Sequence, residues 1–135
     1  MVLRRVVVTG LGALTPIGNN IEEYWNGLIN GVSGAAPITY FDASKFKTQF
    51  ACELKNFNAE DFLDRKEARK LDRYAQYAMV SSDEAVRDAD FNFEKLDKDR
   101  VGVIWGSGIG GLETFQIEML NFAAGDGTPK FNPFF

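Results

Sequence analysis

Two short apolar runs constrain this chain more than any other feature. Arg4-Arg5-Val6-Val7-Val8-Thr9-Gly10 is β-branched, continuously apolar at its centre and stopped by glycine. Val101-Gly102-Val103-Ile104-Trp105 repeats the pattern and runs into Gly106-Ser107-Gly108-Ile109-Gly110-Gly111. Such runs, with no polar alternation, read as strands buried on both faces, as in a parallel sheet. Each is followed by a glycine-rich turn and a segment of helical periodicity. Strands that alternate with helices at these separations predict an α/β fold around a parallel sheet.

The helical segments carry their own boundaries. Asn19 and Asn20 are N-cap candidates with Glu22 and Glu23 three residues on, Ile21, Tyr24, Trp25, Leu28 and Ile29 follow at helical spacing, and Gly31 marks the end. Between Arg65 and Ala89, Leu71, Ala75, Ala78, Ser82 and Ala85 form one stripe, flanked by Tyr74, Met79 and Val86, so one long helix is expected. Leu112 to Ala124 reads as a further helix ended by Gly125, apolar over an arc wide enough for burial on two sides or wholly inside a core. Thr48 to Leu54 alternates, which places Phe50, Cys52 and Leu54 on one face of a short strand.

Composition removes several function classes. The 135 residues suffice for one domain, and the net charge of −4 gives no support to a general nucleic-acid binder. There is no histidine, so Ser-His and Cys-His couples and His-based metal sites are excluded, and neither a metal nor a cofactor is expected. The single cysteine, Cys52, excludes a disulfide framework and fits a reducing cytoplasm. Its apolar neighbours Phe50 and Leu54 make it a structural core cysteine rather than a nucleophile. No stretch approaches the ~20 apolar residues of a membrane span, so a cytoplasmic protein without a membrane partner is expected. The last residues, Phe131-Asn132-Pro133-Phe134-Phe135, stop on two aromatics, which reads as a portion of a longer protein.

Two motifs bear on function. Gly106-x-Gly108-x-x-Gly111 formally matches the dinucleotide fingerprint, whose backbone approaches a pyrophosphate at a helix N-terminus. It follows the second strand candidate rather than the first, and the acid expected about 20 residues on is Asp126, inside a Gly125-Asp126-Gly127 turn. A tight turn beside a pocket is therefore preferred, with a nucleotide-binding module as the alternative. Lys66, Arg69 and Lys70, with Arg65 and Arg73, stand against only Glu67 and Asp72. On charge pattern this is either a solvated helix face with internal pairs such as Glu67–Lys70 or a docking patch for an anionic partner.

Four separated stretches, taken in order, carry a resemblance. Val6-Val7-Val8-Thr9-Gly10-Leu11-Gly12 with Thr15-Pro16-x-Gly18, Arg65-Lys66-Glu67-x-Arg69-Lys70-x-Asp72, Gly106 to Gly111, and Asn132-Pro133-Phe134-Phe135 resemble the β-ketoacyl-[acyl-carrier-protein] synthase II family. These are elongating condensing enzymes of bacterial type II fatty-acid synthesis. The resemblance implies an α/β thiolase-like fold, layered αβαβα in the full protein, with residues 1–135 as the opening part of its N-terminal half. It implies a homodimeric acyltransferase whose cysteine nucleophile and two histidines lie beyond Phe135, leaving no catalytic residue in this chain. It also implies that Lys66, Arg69 and Lys70 meet the acidic acyl carrier protein, and that Ile109 and Phe134 lie beside the acyl pocket. A type I or polyketide ketosynthase and a non-catalytic carrier-binding protein are the other readings.

Overall fold

The computed structural model describes residues 3–133. They form two compact units, one of residues up to Asn58 with Val80–Leu96, the other of Ala59–Met79 with Asp97 onward.

In the first unit, α1 spans Ile21–Ile29. Asn20 caps it, its side chain accepting the Glu23 N–H at 2.8 Å, while the Glu23 carboxylate accepts the Asn19 N–H at 2.8 Å. The exit is a glycine turn: Gly31 sits at φ +62, and the Gly31 and Val32 N–H groups bond the Leu28 and Gly27 carbonyls at 3.1 and 2.9 Å. Just upstream, Thr15 and Gly18 exchange backbone hydrogen bonds of 2.9 and 3.2 Å around Pro16-Ile17. These local features follow the sequence closely.

The strands do not. Among the described residues the one sheet is the antiparallel pair β1 (Ala36–Pro37) and β2 (Phe50–Ala51), with Ala36 opposite Ala51 and Pro37 opposite Phe50. One more ladder bond, from the Ile38 N–H to the Gln49 carbonyl at 3.0 Å, follows the pair, and side chains take the flanking donors. Ser33 Oγ accepts from Ala35 N–H at 3.3 Å, and Glu53 accepts from Thr39 N–H at 3.1 Å. The strand expected over Thr48–Leu54 is thus reduced to two residues. Phe50 and Cys52 are exposed, so Cys52 is not the core cysteine its neighbours suggested.

Neither apolar run is a strand. Residues 4–10 and 101–105 pair with no other segment among the described residues, and Val6 and Ile104 are 90% and 99% exposed. A buried parallel strand requires ladder partners and covered faces, and these segments have neither. The loop after the first run is instead gripped by a helix.

That helix is α3, Arg73–Asp88. Its Asp88 carboxylate accepts the Leu11 N–H at 2.8 Å, and Glu84 accepts the Ala13 and Ile21 N–H groups, each at 2.8 Å. One carboxylate thereby ties the loop to the start of α1. Gly10 and Gly12 permit the approach: a Cβ on Gly12 would overlap the Ser81 carbonyl and lie 2.8 Å from Ala85 N, and one on Gly10 would lie 2.7 Å from Ala89 N. Val80 and Ser81 are buried on this part of the helix. Gly12→Ala should therefore cost ~1–3 kcal/mol through overpacking. The expected readout is a lower urea midpoint at unchanged slope and matched protein concentration. Gly102→Ala, where nothing lies within 4 Å of the new methyl, should stay within ~0.5 kcal/mol.

In the second unit, the helix expected over Arg65–Ala89 is broken. α2 is only Arg65–Ala68, preceded by a 3₁₀ turn at Ala59–Asp61. Lys70 and Leu71 N–H groups bond the Glu67 and Ala68 carbonyls three residues back, at 2.9 and 3.4 Å, which tightens and ends the turn. Gln76 then donates its side-chain N–H groups to the Ala68 and Leu71 carbonyls at 2.8 and 3.1 Å. Periodicity runs through this junction, but the hydrogen bonds do not. α4, Leu112–Ala124, ends at Gly125 as expected, and Leu112, Phe115, Ile117 and Leu120 on it are exposed. No helix among the described residues is long and apolar enough to cross a membrane.

Candidate functional site

The second unit holds both the basic strip and the glycine turn. Asp64 caps α2, its carboxylate accepting the Lys66 N–H at 2.8 Å, and buried Ala68 points the opposite face inward. Lys66, Arg69 and Lys70 are all exposed. Their flanks differ: Arg65 Nε lies 3.6 Å from Glu60 Oε1, and Arg73 Nε lies 3.3 Å from Glu113 Oε2. Among the described residues neither Lys66 nor Arg69 is in an ion pair. The strip is carried by one short turn and the residues that leave it, rather than by one face of a long helix.

Ile109 is 74% exposed in the turn that precedes α4. Gly106 and Gly108 have open space around them, whereas the end of the turn is held. A Cβ on Gly110 would lie 2.8 Å from the Tyr74 ring. Gly111, at φ +73, is the N-cap of α4 and offers no side chain to cap it. A Cβ there would lie 2.8 Å from Asp72 Oδ2, and the Thr114 hydroxyl donates to Asp72 Oδ1. A small cavity of about 50 Å³ lies here, lined by Arg69, Lys70, Leu71, Asp72, Thr114 and Asn132. Glu113 and Thr114 carried no signal in the sequence, and nothing there linked Asp72 or Tyr74 to the glycine turn, since the Asp72–Thr114 bond joins residues 42 positions apart.

Phe134 lies outside the described residues. The nucleotide alternative loses its acid: Asp126 accepts the Thr128 N–H at 2.9 Å within a turn, and this bond holds its carboxyl below the usual aspartate range. The glycine run also has no strand before it.

Residues 3–133 match the family described as beta-ketoacyl synthase, N-terminal domain. The chain belongs to the beta-ketoacyl synthase family. It is 47% identical over 132 residues to 3-oxoacyl-[acyl-carrier-protein] synthase 2 of Staphylococcus aureus (strain COL), covering 98% of this chain and 32% of that protein. The protein of the same name from Synechocystis sp. is 50% identical over 113 residues, covering 84% of this chain and 27% of the relative. The chain thus spans about a third or less of the length of these relatives.

Solved structures give the same fold. The ishigamide ketosynthase/chain length factor superposes with a TM-score of 0.76 at 34% identity, over 97% of this chain and 32% of its own. A beta-ketoacyl synthase from Burkholderia phymatum STM815 gives 0.72 at 28%, over 98% and 33%. A ketosynthase solved in complex with its type II PKS acyl-carrier protein gives 0.73 at 24% identity, over 95% and 33%, and shares the fold. The expected α/β thiolase-like class stands, as the mixed helix and strand of the opening part of its N-terminal half.

Proposed function

We propose that residues 1–135 form the N-terminal portion of the first thiolase-like half of an elongating 3-oxoacyl-[acyl-carrier-protein] synthase, the remainder of which lies outside this chain. The observation that carries this is the 47% identity to a synthase of that name along 98% of the chain. In the reaction, an enzyme thiolate takes an acyl group from its carrier and releases the carrier thiol. Malonyl-carrier then loses carbon dioxide, and the resulting carbanion attacks the acyl thioester. The product is 3-oxoacyl-carrier, and the enzyme thiol is regenerated. The thiolate and its imidazole partners belong to the part of the synthase beyond Phe135. The synthase acts as a cytoplasmic homodimer whose partner is the acyl carrier protein.

This chain's contribution is recognition. Exposed Lys66, Arg69 and Lys70 offer cationic groups to an acidic carrier, and Lys66 and Arg69, which are in no ion pair among the described residues, are the strongest contacts. Ile109 and Phe134 border the acyl chain. The elongating synthase is favoured by identities of 47–50% to synthases of that name against 34% to the ishigamide ketosynthase/chain length factor.

The full-length synthase, given acyl-carrier and malonyl-carrier, should release one carbon dioxide per 3-oxoacyl product. Decarboxylation without chain extension, or no product at all, would overturn the assignment. Ile109→Phe in that enzyme should slow long acyl chains about tenfold more than short ones, because overfilling a packed pocket costs ~1–3 kcal/mol. A loss by one common factor across chain lengths would place Ile109 away from the acyl chain.

A further inference from the structure

The glycine turn is free in its first half and fixed in its second, and the fixing comes from three successive residues at the edge of the basic strip. Asp72, Arg73 and Tyr74 meet Gly111 and Thr114, Glu113, and Gly110 respectively. These contacts are unequal. Arg73–Glu113 is about half-exposed at the arginine and more so at the glutamate, and such pairs contribute little. Asp72–Thr114 is partly buried and involves a charged acceptor, which makes it the stronger tether.

Asp72 also supplies what Gly111 lacks. A helix start leaves backbone N–H groups without partners and favours negative charge, yet the α4 N-cap has no side chain. The Asp72 carboxylate brings that charge from the α2–α3 junction. It is itself held there: its carbonyl accepts the Gln76 N–H at 2.9 Å, and the Gln76 side chain closes the end of α2. Two residues before it stands Lys70, and three residues beyond Gly111 stands Thr114.

We propose that Asp72 is a positioning residue that pins the Ile109 turn to the basic strip, so that acyl-chain selectivity at Ile109 depends on the Asp72–Thr114 bond; the roles at the two ends rest on the function proposed above. Gly106 and Gly108, with no neighbours to hinder them, form the segment that swings, and Gly110-Gly111 forms the fixed pivot. Losing the Thr114 hydroxyl loosens the pivot without touching either Ile109 or the strip's charges.

Three variants of the full-length synthase test this: Thr114→Val removes the hydroxyl at nearly constant shape, Thr114→Ser restores it, and Asp72→Asn keeps an acceptor. Two readouts are taken, amide hydrogen exchange over residues 107–111 and the ratio of kcat/KM for long against short acyl chains. Thr114→Val should speed exchange about tenfold and shift the ratio by a similar factor, with Thr114→Ser close to the parent and Asp72→Asn between them. Unchanged exchange in Thr114→Val overturns the proposal. So does faster exchange with an unmoved ratio while Ile109→Phe still moves it. If Ile109→Phe leaves the ratio unmoved, the acyl-gate reading fails on its own, and the exchange data alone then decide whether Asp72 pins the turn.

Discussion

Mixed with acyl-carrier and malonyl-carrier, the purified 135-residue chain is expected to make no 3-oxoacyl product and to carry no acyl group on Cys52. Condensation needs a thiolate and groups that take and give protons, and a positioned acid or base contributes ~10²–10⁴-fold. The chain has no histidine to serve. Its thiol is exposed, so burial is not what silences Cys52; the missing imidazole is. The same preparation should self-associate with rising concentration. Val6 and Val8 in the first unit, and Val103, Ile104, Leu112 and Leu120 in the second, are all exposed, and large apolar side chains left in water favour association. Turnover that vanishes in Cys52→Ala would overturn the reading that the catalytic groups lie beyond Phe135. A light-scattering mass fixed at one chain across concentrations would show that these apolar surfaces need no cover.

Reversing the strip should separate carrier recognition from chemistry. Lys66→Glu with Arg69→Glu in the full-length synthase is expected to raise KM for carrier-bound substrates about ten- to a hundredfold, with kcat little changed. Acyl thioesters without the carrier should react as before, because they never meet the strip. The structure adds a graded control. Arg65 already lies 3.6 Å from Glu60, so Arg65→Glu should do less than either reversal at Lys66 or Arg69. Near 1 M salt, where the screening length falls to about 3 Å, the variant and parent should converge. Equal losses with carrier-bound and carrier-free substrates would remove the docking role.

Sequence alone determined the features whose hydrogen bonds close within a turn or two. The Asn20 cap and Gly31 exit of α1, the Thr15–Gly18 turn, and the Gly111–Gly125 limits of α4 were all legible, because each depends on residues three to five apart. The four motifs in order also carried the family. Tertiary structure decided the rest. Val6-Val7-Val8 and Val103-Ile104 have strand composition, but a strand exists only where another segment supplies its ladder, and none of the described residues does so. The stripe from Leu71 to Ala85 hid the break between α2 and α3, because periodicity reports which face is apolar and not which carbonyls are bonded. Cys52 shares its alternation with apolar neighbours, yet the ladder beneath it ends at Ala51. Glu84 reaches Ala13 and Ile21 across 71 and 63 positions, and Asp72 reaches Thr114 across 42. Nothing local marks such carboxylates, because their partners are backbone and hydroxyl groups brought near only when distant loops close.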